Sequence, residues 1–347
     1  MNSANNSRKR RALFGLLLAV AFLGAFFAGG LVHKYGIHQK TPAANDLITR
    51  ATEEVQSAFS YPAPKQPTSE IFQKRDVEYP FTFIAYGDSR EPAGWEKEAL
   101  IRQIIKEKPS FVLHLGDMVY FGEEHQWKIF DLFEGRIIEE GIPFYPVLGN
   151  HEYHTRKEIW PSNPNPQLQH YFDRFEFLEN RRWYSFKYNN SLFLILDTTT
   201  DHSPQSHQYE WLMNKLKAES PDFLVVALHY PLYTRDARGV RESEKLLAET
   251  FESYHDNGLA KADIVFSSHV HSYERYEHNG IQYVVSGGGG APPVSIIRDP
   301  TDFFTKPGDA YHFCRVRVWE TELTFEMVGL DEDTGKWVVA DTFTISK

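Results

Sequence analysis

Five short apolar runs recur along the chain from residue 81 onward, and a polar residue follows each of them. Helical or loop segments separate the runs, which are rich in β-branched and aromatic residues. Continuous apolar runs of this length are typical of strands that are covered on both faces. The runs and the residues that follow them are 81–87 before Asp88, 111–116 before Asp117, 144–149 before Asn150, 223–228 before His229 and 264–268 before His269.

The residues that end these runs all carry side chains that can bind a metal. Sheets of this kind bind ligands beyond the carboxyl ends of their strands, so the pattern predicts one shared site. Glycine precedes three of the five residues and would let the chain turn sharply there. His269 and His271 are two residues apart, so in an extended segment both would point toward two neighbouring ions. Each feature alone has an ordinary structural explanation, whereas their joint occurrence in order indicates function.

The N-terminal segment carries a signal of a different kind. Residues 12–32 form an uncharged run of 21 residues directly after Arg8, Lys9, Arg10 and Arg11. At about 1.5 Å per residue, one such helix would span a bilayer. The basic cluster should stay cytoplasmic, which places the chain after residue 33 on the extracytoplasmic side, in the periplasm or at the cell surface.

A cleaved signal peptide is the alternative, although its apolar region is usually about 7–15 residues long. The longer run favours a retained membrane anchor; cleavage would give a secreted protein, and both interpretations predict export. We divide the chain into a basic stub with the anchor or signal (1–32), a linker (33–80) and a catalytic domain (81–347). The proline-rich stretch 61–67 supports the linker, because it breaks regular structure.

Composition narrows the choice of partners. The 347 residues include 37 Lys+Arg against 47 Asp+Glu, a formal net charge of −10. Duplex nucleic acid is therefore not expected as a partner, because phosphate contacts need a basic face. Local cationic sites remain compatible with a small phosphorylated substrate. A single cysteine, Cys314, excludes an internal disulfide framework and an all-thiolate zinc site, and the oligomeric state stays open.

Five motifs lie at the ends of these runs: Tyr86-Gly-Asp-Ser-Arg90, Gly116-Asp-Met-Val-Tyr120, Gly149-Asn-His-Glu152, Val226-Ala-Leu-His229 and Ser268-His-Val-His-Ser-Tyr-Glu-Arg275. Together they resemble the motifs of the calcineurin-like metallophosphoesterases, and most closely those of the purple acid phosphatase branch. The resemblance covers residues 81–347 and implies a four-layer α/β/β/α sandwich, in which helices flank two mixed sheets. The late runs 311–319, 322–328 and 337–345 would be antiparallel strands of the second sheet.

The resemblance implies two metal ions that share Asp117. We call the two predicted ligand sets the tyrosine site and the amide site. Ferric iron suits the tyrosine site, because phenolate and carboxylates are hard ligands, and a divalent Fe, Zn or Mn ion suits the amide site. The tyrosine site comprises Asp88, Asp117, Tyr120 and His271, and the amide site comprises Asp117, Asn150, His229 and His269.

Two positions depart from the family pattern, since Arg90 and Ser268 stand where relatives usually have glycine. Arginine is not expected to bind iron, so Tyr120 must supply that ligand. Arg90 would reach the substrate phosphate or form a surface salt bridge. The change to Ser268 is minor if its backbone angles are ordinary.

The implied reaction is hydrolysis of a phosphate monoester by a metal-activated hydroxide. His151 would act as general acid toward the leaving alkoxide, and Asn150 would both bind metal and hydrogen bond to the substrate. The residue that orients His151 is left open. His202, in a polar loop, is a second candidate for substrate binding besides Arg90. The alternatives are a phosphodiesterase acting on lipid headgroups or nucleotides and a non-catalytic tethered binding module.

Overall fold

The computed structural model describes residues 73–74, 78–90, 94–158 and 165–347, all of which belong to one unit, Ala63–Lys347. The predicted anchor at 12–32 and most of the predicted linker lie outside the described residues. Within the described part of the chain, no helix is both long and apolar enough to cross a membrane.

Two mixed sheets form the centre of the fold. The six-stranded sheet has the order β13-β12-β11-β2-β3-β4, and the seven-stranded sheet has the order β1-β5-β6-β7-β8-β10-β9. In chain order the strands are β1 (Gln73–Lys74), β2 (Phe81–Tyr86), β3 (Phe111–His114), β4 (Phe144–Pro146), β5 (Tyr184–Tyr188), β6 (Ser191–Ile195), β7 (Phe223–Ala227), β8 (Ile264–Ser267), β9 (Tyr273–His278), β10 (Ile281–Ser286), β11 (His312–Val318), β12 (Glu322–Asp331) and β13 (Lys336–Ser346).

Helices connect the strands and cover the sheets. The described helices are α1 (Trp95–Glu107), α2 (Glu124–Phe133), α3 (Gly135–Glu139), α4 (Asn150–Tyr153), α5 (Asn165–Arg174), α6 (His207–Ala218), α7 (Glu242–Glu252) and α8 (Tyr254–Asn257), with a 3₁₀ turn η1 at Glu176–Leu178.

Side chains that alternate along a strand pack in two different layers of the fold. In β6, Phe193 joins the core shared with the six-stranded sheet, and its ring meets Phe83 of β2 edge to face at 5.2 Å. Leu192 and Leu194, which point the other way, pack in a second core with apolar residues of α6 and α7. Helices α1 and α2 pack in the core of the six-stranded sheet. The order is therefore helices, sheet, sheet, helices, which confirms the predicted architecture of two mixed sheets with flanking helices.

The structure adds two details to the predicted strands. The three late runs are indeed antiparallel strands, β11 to β13, and they extend the sheet that contains β2, β3 and β4. The other two site-bearing strands, β7 and β8, lie in the seven-stranded sheet, so the five runs are divided between both sheets. Gln73–Lys74, within the predicted linker, pairs in parallel with β5 at the edge of that sheet.

Candidate metal centre

The candidate site lies where the carboxyl ends of parallel strands from the two sheets meet. In the six-stranded sheet Tyr86 pairs with His114, and His114 pairs with Pro146, so the loops that follow these strands start side by side. In the seven-stranded sheet Ala227 pairs with Phe266. The turns after these strands carry Asp88, Asp117, Asn150, His229 and His269.

The backbone of these turns is unusual at the predicted ligands themselves. Asp88, Asp117 and His269 have left-handed φ values of 58°, 56° and 67°, a region that side-chain-bearing residues adopt rarely. Gly116 has φ 94°, and a Cβ there would lie 2.7 Å from Nδ1 of His229. Strained backbone of this kind is concentrated at functional sites.

Gly149 is required by close approach, because its own φ of −102° is available to any residue. A Cβ on Gly149 would lie 2.4 Å from the backbone nitrogen of Asp117. The prediction that glycine permits a sharp turn therefore holds at Gly116, whereas Gly149 allows two site loops to touch.

The four residues predicted for the amide site come together. Asn150 Oδ1 lies 3.0 Å from Nε2 of His229 and 3.0 Å from Nδ1 of His269. Asp117 Oδ1 lies 3.3 Å from the same His229 nitrogen. Asp117, His229 and His269 each offer a ligand atom within 4.8 Å of the others.

Three of the four residues predicted for the tyrosine site surround the guanidinium of Arg90. Its Nη1 lies 3.3 Å from Asp88 Oδ1, 3.3 Å from Asp117 Oδ2 and 2.8 Å from His271 Nε2. Arg90 thus forms the ion pair that was one of its two predicted roles, but the pair is largely buried, with the Arg90 side chain 12% exposed. The two oxygens of Asp117 face the two ligand sets separately, as a shared ligand requires.

Tyr120 lies at the rim of this group. It is 38% exposed, and its ring meets the rings of Phe121 and His151 edge to face. The guanidinium carbon of Arg90 is 5.7 Å from the centre of the Tyr120 ring.

His151 is oriented by a main-chain group. Its Nδ1 is 2.8 Å from the carbonyl oxygen of Tyr120, which can only accept, so Nδ1 carries the proton and donates. Its Nε2 lies 3.8 Å from Asp117 Oδ2, and its backbone N–H donates to Asp117 Oδ1 at 3.0 Å. Burial lowers the pKa of His151, against the opposing effect of Asp117.

The structure places His202 against Glu244 and Thr200. Its Nε2 lies 3.2 Å from Glu244 Oε1, and its Nδ1 donates to the Thr200 carbonyl at 2.8 Å. Glu244 also pairs with Arg241, whose guanidinium stacks 3.5 Å over the Tyr230 ring. The centre of the Tyr230 ring lies 4.4 Å from the centre of the His269 ring. Contact of His202 with substrate remains a prediction.

Carbonyl groups also fix the tautomers of two predicted ligands. Nδ1 of His229 donates to Leu115 at 2.9 Å, and Nδ1 of His271 donates to Pro292 at 3.1 Å. Nε2 is therefore the nitrogen that each ring turns toward the site, a common arrangement for metal-binding histidines, and Nε2 of His229 would have to lose its proton to bind a metal because the pKa of that ring is raised to about 9. Ser268 keeps an ordinary φ and donates its hydroxyl to Leu115 at 2.8 Å, so its replacement of glycine is indeed minor.

Glu152 is a component that sequence reasoning missed. Its fully buried carboxylate accepts backbone N–H groups from Asp117 (3.0 Å), Met118 (2.7 Å), Val119 (3.3 Å) and Gly149 (2.7 Å). It ties the loop after β3 to the loop after β4. The signal was the spacing of Gly149 and Glu152, which is that of a helix N-cap and a carboxylate reaching back to it.

The charges of the site depend on one another. Burial alone would raise the pKa of Asp117, but His229 and His151 outweigh it and hold that pKa well below its usual range. Burial alone would lower the pKa of His229, but Asp117 raises it to about 9. Burial and His229 lower the pKa of His269 to about 2, so this ring is neutral and able to bind a metal.

The donor atoms fit the metals that the motifs imply. At the amide site, amide and carboxylate oxygens lie 3.0–3.3 Å from imidazole nitrogens, and a metal cation would take the place of the proton on His229 Nε2. At the tyrosine site, two carboxylates and an imidazole already converge on a cationic nitrogen.

Comparisons with known proteins agree with this geometry. A sequence model described as calcineurin-like phosphoesterase matches residues 94–273, slightly more than half of the chain. A purple acid phosphatase of Glycine max is 25% identical over 305 residues, covering 83% of this chain and 62% of that protein. The Fe(3+)-Zn(2+) purple acid phosphatase 12 of Arabidopsis thaliana is 27% identical over 231 residues, 62% of this chain and 48% of that protein. The chain thus spans about half to three-fifths of the length of these relatives.

Solved structures share the fold. Purple acid phosphatase PPD1 from Lupinus luteus seeds superposes with a TM-score of 0.60 at 22% identity, over 79% of this chain and 55% of that one. GAP50, described as the anchor in the inner membrane complex of Plasmodium, superposes with a TM-score of 0.54 at 17% identity, over 78% of this chain and 89% of that one.

Proposed function

Because the chain belongs to the calcineurin-like phosphoesterase family, on a branch similar to the purple acid phosphatases, we propose that it hydrolyses phosphate monoesters with two metal ions. One observation carries the proposal: predicted ligands from five strand ends, in two sheets, gather around Asp117, whose Oδ1 lies 3.3 Å from His229 and whose Oδ2 lies 3.3 Å from the Arg90 nitrogen that also contacts Asp88. Amide, imidazole and carboxylate donors serve transition metals well. A packed core alone would give no reason to bury both Asp88 and Asp117 there.

The proposed metals follow the donor types. Asp117, Asn150, His229 and His269 would hold a divalent Fe, Zn or Mn ion. Asp88, Asp117, Tyr120 and His271 would hold ferric iron, a choice supported by the relative named for Fe(3+) and Zn(2+). When bound, such ions lower the pKa of water and offset the charge of a phosphate group.

His151 would protonate the leaving alkoxide. Its Nδ1 is committed to the Tyr120 carbonyl, so the proton it transfers is the one on Nε2. Only the imidazolium carries that proton, so the lowered pKa of His151 makes it a stronger acid and shifts the active form toward acidic pH. Asn150 turns its oxygen toward His229 and His269, which leaves its amide N–H groups to donate to the substrate.

Two arginines beside the ligands favour a monoester over a diester. Arg90 contacts the tyrosine-site ligands, and Nη1 of Arg238 lies 3.4 Å from Nε2 of His269. The Arg238 side chain is 60% exposed, so an incoming anion can reach it. A phosphate monoester carries more negative charge than a diester and gains more from these cations.

Turnover of two nitrophenyl esters tests the proposal. With Mn²⁺ or Zn²⁺ supplied, p-nitrophenyl phosphate should be hydrolysed faster than bis-p-nitrophenyl phosphate. The reverse preference would indicate the phosphodiesterase, and no turnover with any metal would indicate a tethered binding module.

The role of His151 has its own test. His151→Ala should lower turnover about 10²–10⁴-fold for an alkyl phosphate, whose leaving group needs a proton. The loss should be much smaller for p-nitrophenyl phosphate, because nitrophenolate leaves unaided. Equal losses on both esters, with metal content unchanged, would contradict the general-acid role.

We also propose export, with the catalytic domain on the extracytoplasmic side of a membrane. This proposal rests on the sequence of residues 12–32 alone. Mass spectrometry of detergent-extracted protein should find an intact residue-1 terminus. A new terminus near residue 30 would show that the segment is a cleaved signal peptide and not a retained anchor.

A further inference from the structure

Arg90 occupies the centre of the tyrosine site. Three of the four predicted ligands contact a single nitrogen of its guanidinium, at 2.8–3.3 Å. We propose that Arg90 is a built-in competitor for this metal, so that the ion enters only when the guanidinium leaves. The inference rests on the proposed function, since it assumes that these ligands bind a metal.

The need for a cation at this point follows from burial. Asp88 and Asp117 have no appreciable exposure, and uncompensated buried charges are costly. Arginine stays charged at every physiological pH, so Arg90 always offsets part of the charge of the two carboxylates. A metal ion would fill the same position with the same sign of charge. The two cations cannot occupy this position at once, so binding of the metal must include the cost of moving Arg90.

Among the residues that the structure describes, no guanidinium lies between the donor atoms of the amide site. Asn150, His229 and the second oxygen of Asp117 face one another directly. Arg238 approaches His269 from the solvent side, with most of its side chain exposed. The amide site should therefore bind metal more tightly than the tyrosine site.

The backbone beneath Arg90 is anchored, so release is confined to the side chain. The Asp88 carbonyl accepts the N–H of Ala291 at 2.8 Å, and the Asp88 N–H donates to Gly116 at 3.0 Å. The Ser89 carbonyl accepts from the buried Lys97 ammonium at 2.6 Å. The turn cannot withdraw as a unit without breaking these bonds.

Metal titration of the full-length protein in detergent tests the proposal. After chelation, Mn²⁺ is titrated by calorimetry into the wild type and into Arg90→Met, which keeps much of the apolar stem without the charge. Wild type should show a tight and a weak step. Arg90→Met should strengthen the weak step, with a smaller change in the tight step. The expected size is about 10–100-fold, that of contacts to metal ligands, but opposite in sign because Arg90 occupies the position of the metal.

Two further variants keep the outcome decisive. Arg238→Met removes a guanidinium beside the amide site and should leave the weak step unchanged. Arg90→Lys keeps the charge and should bind the second Mn²⁺ only slightly more tightly than wild type. This variant can still be measured if Arg90→Met fails to fold without metal.

An unchanged or weakened second step in Arg90→Met would overturn the competition, as would equal affinities in Arg90→Lys and Arg90→Met. Turnover is measured separately. Active protein with no effect of Arg90→Met on metal binding refutes this inference alone, whereas inactive protein with the expected shift refutes only the proposed function.

Discussion

Glu152 offers the sharpest test of how the site is built. Its carboxylate accepts four backbone N–H groups, two on each oxygen, from the turns after β3 and β4. Glu152→Gln preserves the size of the side chain but replaces one of the two accepting oxygens with an NH₂ group. Whichever way the amide is turned, two of the four N–H groups then face a donor instead of an acceptor.

The cost follows from the number of hydrogen bonds lost. A buried donor left without an acceptor costs about 1–3 kcal/mol, so two cost about 2–6 kcal/mol. Burial and Asp117 raise the pKa of Glu152 to about 7, so the measurement belongs above that pH, where removal of the buried negative charge offsets part of this cost. We therefore expect a loss of about 2–4 kcal/mol in the free energy of unfolding, a large share of the 5–15 kcal/mol typical of a native protein.

Denaturant unfolding of chelated protein measures this loss without a contribution from metal. Glu140→Gln, at an exposed position, is the matched control and should change stability by less than about 0.5 kcal/mol. A loss below about 1 kcal/mol in Glu152→Gln would refute the account of Glu152 as the link between the two loops. Metal affinity should fall in the same variant, because Asp117 follows Gly116 in the turn that Glu152 holds.

Two other predictions concern side chains around the centre. Tyr120→Phe removes the only phenol among the predicted ligands, so visible absorption of the iron-loaded protein should disappear and iron retention should weaken about 10-fold or more; a colourless wild type at full iron loading would contradict the ferric assignment. Burial alone would lower the pKa of His202, but Glu244 and the Thr200 carbonyl outweigh it and raise that pKa. The stabilisation that comes with a raised pKa is fully present below the unfolded pKa of about 6.5 and is lost as the pH rises through the folded pKa. His202→Gln should therefore be destabilised by about 1–3 kcal/mol at pH 6 and by clearly less at pH 9; an equal loss at both would exclude a charged pair with Glu244.

The strand ends could be predicted from sequence because two independent regularities coincide there. An apolar run predicts a buried strand, and a metal-binding residue after it predicts a ligand at the carboxyl edge of the sheet. Both refer to side-chain type, which the sequence states directly. The architecture and the meeting of Asp117, Asn150, His229 and His269 followed from these regularities and from the family resemblance.

Features that depend on main-chain atoms could not be predicted in this way. His151 is oriented by the carbonyl of Tyr120, and a carbonyl group belongs to every residue type. No side-chain type in the sequence could therefore indicate what orients His151. The role of Glu152 depends on main-chain atoms as well, because its carboxylate accepts backbone N–H groups of the loop after β3.

Arg90 was harder to place for an electrostatic reason. Its sequence position allowed contact with substrate or a surface ion pair, because a long flexible side chain reaches many places from one backbone site. Two buried carboxylates place it in the ion pair, since their charge attracts the guanidinium inward to 12% exposure, and contact with substrate stays a prediction. Burial of Asp88 and Asp117 is a property of the folded sheets, so the position of Arg90 follows from tertiary structure.

The position of the site between two sheets links its chemistry to the core. Asp88 and Asp117 follow strands of the six-stranded sheet, while His229 and His269 follow strands of the other. Their separation is set by how the sheets pack, and Phe83 is in contact across that interface with Phe193 at 5.2 Å and Phe266 at 6.3 Å. Close-packed interiors transmit small displacements instead of absorbing them. The aromatic layer between the sheets is therefore as much a determinant of metal geometry as the hydrogen bonds around the ligands.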